Sequence, residues 1–147
     1  MSESSEHRGL VVAMADYLVR QYPGIIVDKD VQIKPGDPLP QKIGEHRPDI
    51  YAYYMGNDFR VVGEAKTSND LENSHSNKQI STFVTHLESN HRGIFLLGIS
   101  GEKADRAKTL LRFLSKDMEL KTTRLQIFDG LDYWMLDNEG GVRWLLN

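Results

Sequence analysis

An α/β domain with a mixed central sheet between helices is the architecture this sequence predicts, and three observations predict it. Apolar residues recur at helical spacing in three stretches: Leu10, Val11, Met14, Tyr17 and Leu18; Ile80, Phe83, Val84 and Leu87; and Leu110, Leu111, Leu114 and Met118. Short β-rich stretches bounded by turn residues lie between and after them. One of these, Gly93 to Ile99, is apolar without a break, as expected of a strand covered on both faces.

In chain order, the first helix reads over 6–21 and is stopped by Pro23 and Gly24. Ile25, Val27, Val31 and Ile33, with polar residues between them, suggest a first strand. The segment Lys34–Arg47 holds Pro35, Gly36, Pro38, Pro40 and Gly44, which makes it the one long unstructured loop. Ile50–Met55 and Phe59–Ala65 read as two strands around Gly56-Asn57-Asp58. A second helix follows at about 75–89, the buried strand at 93–99 and a third helix at about 102–120. Short strands at 124–128, 131–136 and 142–146 close the chain, with Asn138-Glu139-Gly140-Gly141 as the last turn. The order is α-β-β-β-α-β-α-β, a mixed sheet flanked by helices.

With 147 residues the chain suits one domain, 1–147. It has no cysteine, which excludes disulfides, thiolate metal sites and cysteine nucleophiles. Eighteen Lys and Arg against 21 Asp and Glu leave a net charge of -3, so a general basic coat for nucleic acid is excluded. The one basic block is 101–124, with Lys108, Arg112 and Lys116 recurring every four residues along the third helix. That stripe is a solvated face or a contact for a nucleic-acid backbone. The apolar run Leu10–Ala15 is too short for a signal peptide or membrane span, so a cytoplasmic protein with no membrane partner is expected. His75, His86 and His91 lack the paired spacing of a zinc helix.

The chemistry gathers at Pro48-Asp49 and Glu64-Ala65-Lys66. Gly suits the first central position of a type II′ turn, and a two-residue Gly56-Asn57 turn sets Asp49 directly opposite Glu64, whereas a three-residue turn would shift the register by one and turn Asp49 to the other face. Strand side chains alternate, so Lys66 projects from the same face as Glu64. Opposed like charges are unfavourable in a sheet, and a cation between them is expected. Two carboxylates with an open side suit Mg²⁺, which keeps water and takes substrate phosphate as further ligands. Read singly, Asp49 is a turn acid and Glu64–Lys66 a strand-edge ion pair. Read together, they form a metal site. Glu119-Leu120-Lys121, at the end of the third helix, repeats the E-x-K spacing without a partner Asp and serves as an internal control. The polar stretch Thr67–Lys78 reads as a loop beside the site.

The combination of R-P-D-I, fifteen positions from Asp49 to Glu64, then V-V-G-E-A-K and a helix beginning near K-Q-I resembles the PD-(D/E)xK nuclease superfamily, with its restriction-endonuclease-like αβββαβ core. The resemblance covers roughly residues 6–99. It implies a metal held by Asp49, Glu64 and the Ala65 carbonyl, with Lys66 positioning or activating water. It implies a role for Gln79, which matches a Gln that many members carry on the following helix. Many members also carry a Glu on the first helix, for which Glu6 is the first candidate and Glu45 the second. The expected activity is hydrolysis of nucleic acid, DNA foremost, with magnesium or manganese. The alternatives are a nucleic-acid-binding or structural module of the same fold without useful turnover, and a nuclease subunit of a larger assembly. A homodimer is the expected state, with the terminal strands bearing Tyr133, Trp134 and Trp144 as its interface.

Overall fold

The structure, a computed structural model, describes residues 5–67, 74–99, 103–116, 118–129, 133–136 and 142–145, and for residue 74 and the last two ranges the backbone alone. Its elements are α1 (Ser5–Gln21), β1 (Ile26–Lys29), β2 (Ile50–Tyr53), β3 (Phe59–Lys66), α2 (Ser74–Asn90), β4 (Arg92–Ile99), α3 (Ala104–Lys116), β5 (Thr123–Phe128), β6 (Tyr133–Leu136) and β7 (Val142–Leu145). The strands form one mixed sheet in chain order. β1, β2 and β3 pair antiparallel, β3, β4 and β5 parallel, and β5, β6 and β7 antiparallel. Parallel neighbours need a crossover, and α2 and α3 supply the two that occur. No helix among the described residues is long and apolar enough to cross a membrane.

The sheet carries a core on each face. On one, Phe83, Val84 and Leu87 of α2 and Ala107 and Leu111 of α3 pack against Val62, Phe95, Leu97 and Ile127. On the other, Val11, Met14 and Leu18 of α1 pack against Ile50, Val61, Ile94 and Leu96. Burial on both faces explains the unbroken apolar run of β4. α1 sits unusually close. A side chain at Gly98 would put its Cβ 2.2 Å from Met14 Sδ, and one at Gly63 would put it 3.2 Å from Met14 Cε. The two glycines form the notch that receives Met14.

Several boundaries differ from the sequence reading. The first strand ends at Lys29 instead of reaching Ile33, because the Asp37 carboxylate captures the N–H groups of Ile33 and Lys34 at 3.0 and 2.8 Å. Ile33 is consequently 60% exposed. The segment 34–47 is more ordered than its proline content suggests: Ile43 and His46 bond to each other across an isolated bridge, and Ile43 is buried. The β2–β3 ladder ends at the pair Tyr53–Arg60, so residues 54–59 lie outside it and the connection is wider than a two-residue turn. Gly56 still takes the positive φ, 88°, that made it a turn residue. α3 stops at Lys116, and Met118 and Leu120 reach the core from beyond its end. The control triplet Glu119–Lys121 therefore lies past the helix, with Glu119 exposed. The proposed turn Asn138–Gly141 and the segment 68–73 of the polar loop lie outside the described residues, as do the side chains of Tyr133, Trp134 and Trp144.

Glu88, near the end of α2, fastens the start of β5. Its carboxylate accepts N–H bonds from Lys121, Thr122 and Thr123 at 2.9–3.0 Å and a hydroxyl bond from Thr122. Partial burial would raise its pKa, but these donors hold it below the ordinary value. Glu88→Ala should destabilise the fold by about 1–2 kcal/mol, read as a lower urea midpoint. A depressed carboxylate stabilises above its ordinary pKa and loses that contribution as pH falls, so the difference between parent and variant should shrink in acid.

Candidate active site

The β2–β3 ladder pairs Ile50 with Gly63, the register in which the next positions outward, Asp49 and Glu64, stand across from each other. Both are buried, at 7% and 3% exposure. Beyond the last paired residues the ladder continues through side chains. The Asp49 N–H donates to Glu64 Oε1 at 2.9 Å, and the Ala65 N–H donates to Asp49 Oδ2 at 2.8 Å. Each carboxylate thus closes a backbone donor on the opposite strand. The N–H and C=O of one strand residue face the same edge, so the Ala65 carbonyl is directed to the Asp49 side.

Lys66 shares the face of Glu64. Its Nζ lies 3.5 Å from Glu64 Oε2 and donates to Gln79 Oε1 at 2.9 Å. The first turns of α2, packed over β3 and β4, deliver Gln79 to that position. Asp49, Glu64, Ala65, Lys66 and Gln79, all singled out from sequence, are therefore brought together. Burial pushes the Glu64 pKa up to about 8, and the negative charge of Asp49 adds to this. Lys66 and the Asp49 N–H oppose the rise without cancelling it. The cluster is short of positive charge.

The upstream acids behave differently. Glu6 and Glu45 are both exposed. Among the described residues no three or more His, Asp or Glu side chains come together in positions that could hold a metal, so neither Glu completes a carboxylate triad. The α1 residue that reaches the site is His7, whose Nε2 lies 3.3 Å from Asp49 Oδ2. A signal for it was present in the sequence. His7, Val11, Met14 and Leu18 share one helical face, whereas Glu6 is turned about 100° away from His7. Lys108, Arg112 and Lys116 lie on α3, which packs on β4 and β5, while the carboxylates belong to the β2–β3 edge. Arg112 and Lys116 are exposed, and Lys108 lies 3.7 Å from Asp105.

The raised pKa of Glu64 has a definite sign. The folded protein binds this proton more tightly than the unfolded chain does, so the group's contribution to stability is full below 4.5 and is lost as pH rises to about 8. In chelator, the melting temperature of the parent should fall over that interval relative to Glu64→Gln, which carries no titrating proton. Superimposable pH profiles for the two proteins would show that Glu64 ionises at its ordinary value.

Comparison with protein-family models, with curated proteins and with solved structures finds no match to the chain. None of them identifies the chain as a PD-(D/E)xK nuclease.

Proposed function

We propose that the chain is a divalent-metal-dependent nuclease with a restriction-endonuclease-like core. The observation that carries this reading is the register of one hairpin. It sets Asp49 across from Glu64 and turns Lys66, held by Gln79, to the same face. The order α1-β1-β2-β3-α2-β4, antiparallel at first and parallel at β3–β4, supports it.

The donor set fits a hard divalent cation such as magnesium or manganese. Two carboxylates and a carbonyl supply oxygen ligands, and the raised pKa of Glu64 marks a place where positive charge is lacking. Asp49, Glu64 and the Ala65 carbonyl would hold the ion. When bound, it supplies Lewis acidity at a phosphate oxygen and acidifies a bound water. Lys66, a compact cation, would orient a water or a phosphate beside Glu64. Gln79 keeps the Lys66 ammonium beside Glu64, and His7 fixes the Asp49 carboxylate from the α1 side. DNA in the cytoplasm is the proposed substrate. Cutting both strands of a duplex needs two sites, which a twofold dimer of this chain would supply. One observation favours a second reading, a nucleic-acid-binding module of the same fold with little turnover: no third carboxylate joins the pair among the described residues.

Cleavage of duplex, single-stranded and branched DNA with Mg²⁺ or Mn²⁺ separates the two readings. Glu64→Ala and Lys66→Ala should each lower the rate by about a hundredfold or more, while Glu119→Ala in the control triplet cleaves as the parent does. Persistent cleavage in the first two variants removes the assignment. DNA binding by the parent without cleavage establishes the second reading. Magnesium should also raise the melting temperature of the parent by mass action, and Asp49→Asn should lose most of that rise.

A further inference from the structure

A concave feature lies on the same sheet face as the carboxylates. Asp49, just before β2, and Tyr51 and Tyr53 within it occupy alternate positions, so their side chains project from one face, with steps of about 7 Å between them. The loop before β2 runs beside this face and forms one wall of an open groove of about 420 Å³. Asp28, Arg47, Tyr51, Tyr53, Arg60 and His91 contribute to its walls. Its volume lies within the range of small-molecule sites, about 300–1,000 Å³.

The lining has a definite chemistry. In a chain of net charge -3, two guanidinium groups meet one carboxylate among the described residues, Asp28, whose pKa burial pushes up, while burial and the charge of Arg60 lower that of His91. The neighbouring acid, Asp58, is paired with Arg92 at 2.9 Å. Both arginines are anchored by main-chain carbonyls: Arg47 Nη1 donates to Pro40 O, and Arg60 Nη1 donates to Asn57 O and Phe59 O at 2.8 Å. A guanidinium has five N–H donors, so each is held in place with donors to spare. The Arg60 guanidinium carbon lies 5.8 Å from the centre of the Tyr53 ring, and the Tyr51 and Tyr53 rings are 6.3 Å apart. Tyr51 is buried and supports the more open Tyr53. Fixed guanidinium forks suit phosphate, and an aromatic face suits a nucleobase.

We propose that this groove binds a nucleotide, with the phosphate at Arg47 and Arg60 and the base against Tyr53. The site is separate from the carboxylate cluster. The nuclease reading bears only on the source of the ligand, a unit of a nucleic-acid strand whose neighbouring phosphate lies at Asp49 and Glu64.

The test is binding in chelator, where metal-dependent cleavage is absent. A fluorescent single-stranded oligonucleotide is followed by anisotropy, and adenosine monophosphate is titrated separately by calorimetry. Arg47→Gln, Arg60→Gln and Tyr53→Leu should each weaken binding about tenfold or more. Arg47 lies in a loop outside both cores and its replacement gives up one bond, to Pro40 O, so Arg47→Gln should stay folded with a slightly lower melting temperature and remains informative if an Arg60 variant fails to fold. Binding of the oligonucleotide identifies a strand as the source, and binding of the mononucleotide alone identifies a free nucleotide. No binding of either, or equal binding by parent, Arg47→Gln and Tyr53→Leu, overturns the proposal. A protein that binds here in chelator yet cleaves nothing with Mg²⁺ overturns the nuclease reading and leaves this one standing. A protein that cleaves with unaltered KM in Arg47→Gln and Tyr53→Leu does the reverse.

Discussion

Two main-chain N–H groups, one on each side of a hairpin, end on two opposed and buried carboxylates, and the candidate site is organised around that exchange. An ionised carboxylate without a partner is costly to bury, and a strand end without a hydrogen-bond partner is costly as well. Here each deficit meets the other. Asp49 takes the Ala65 N–H, Glu64 takes the Asp49 N–H, and the sheet continues past its last ordinary pair at Ile50 and Gly63. The electrostatic consequence falls on Glu64, the more deeply buried of the two. Desolvation and the charge of Asp49 together hold its proton to about pH 8. Lys66, 3.5 Å away, offsets part of this.

The helices on opposite faces each add a side chain to that hairpin end, and each does so for a packing reason. α1 can approach because Gly63 and Gly98 leave room for Met14. The same close seating, two helical turns upstream, carries His7 to Asp49. α2 is the crossover between the parallel strands β3 and β4, so its first turns lie over the end of β3. Gln79 meets Lys66 there. Core packing and site geometry are thus set by the same contacts. A change that lifts α1 off the sheet would move His7 before it touched either carboxylate.

The loop 34–47 shapes the rest of that face. Asp37 closes its first turn, and Ile43 inserts into the core beside Tyr51. His46 packs edge-on against Phe83 of α2. With its middle pinned in this way, the loop turns an open strand surface bearing Tyr51, Tyr53 and Arg60 into a concavity, and Arg47 forms part of the rim.

The sequence by itself determined the α/β class and the order of elements, and it set the hairpin register only on the premise of a two-residue turn. Periodicities of 3.6 and 2 survive errors of a few residues at element ends, and a change of loop length by an even number leaves the strand faces unaltered. That is why Asp49 and Glu64 could be set opposite each other although the connection proved wider than a two-residue turn. Helical spacing could likewise have pointed to His7, since the buried stripe Val11-Met14-Leu18 runs back to it and past Glu6. Local signals misjudged the first strand and the end of α3, where a remote carboxylate captured N–H groups and apolar residues reached the core from non-helical backbone. Only the tertiary structure decided how deeply Glu64 is buried, which helix residue meets Asp49, and that Arg47 and Arg60 share a groove. Burial, pKa and convergence depend on segments distant in the chain, and no spacing along the sequence encodes the distance between them.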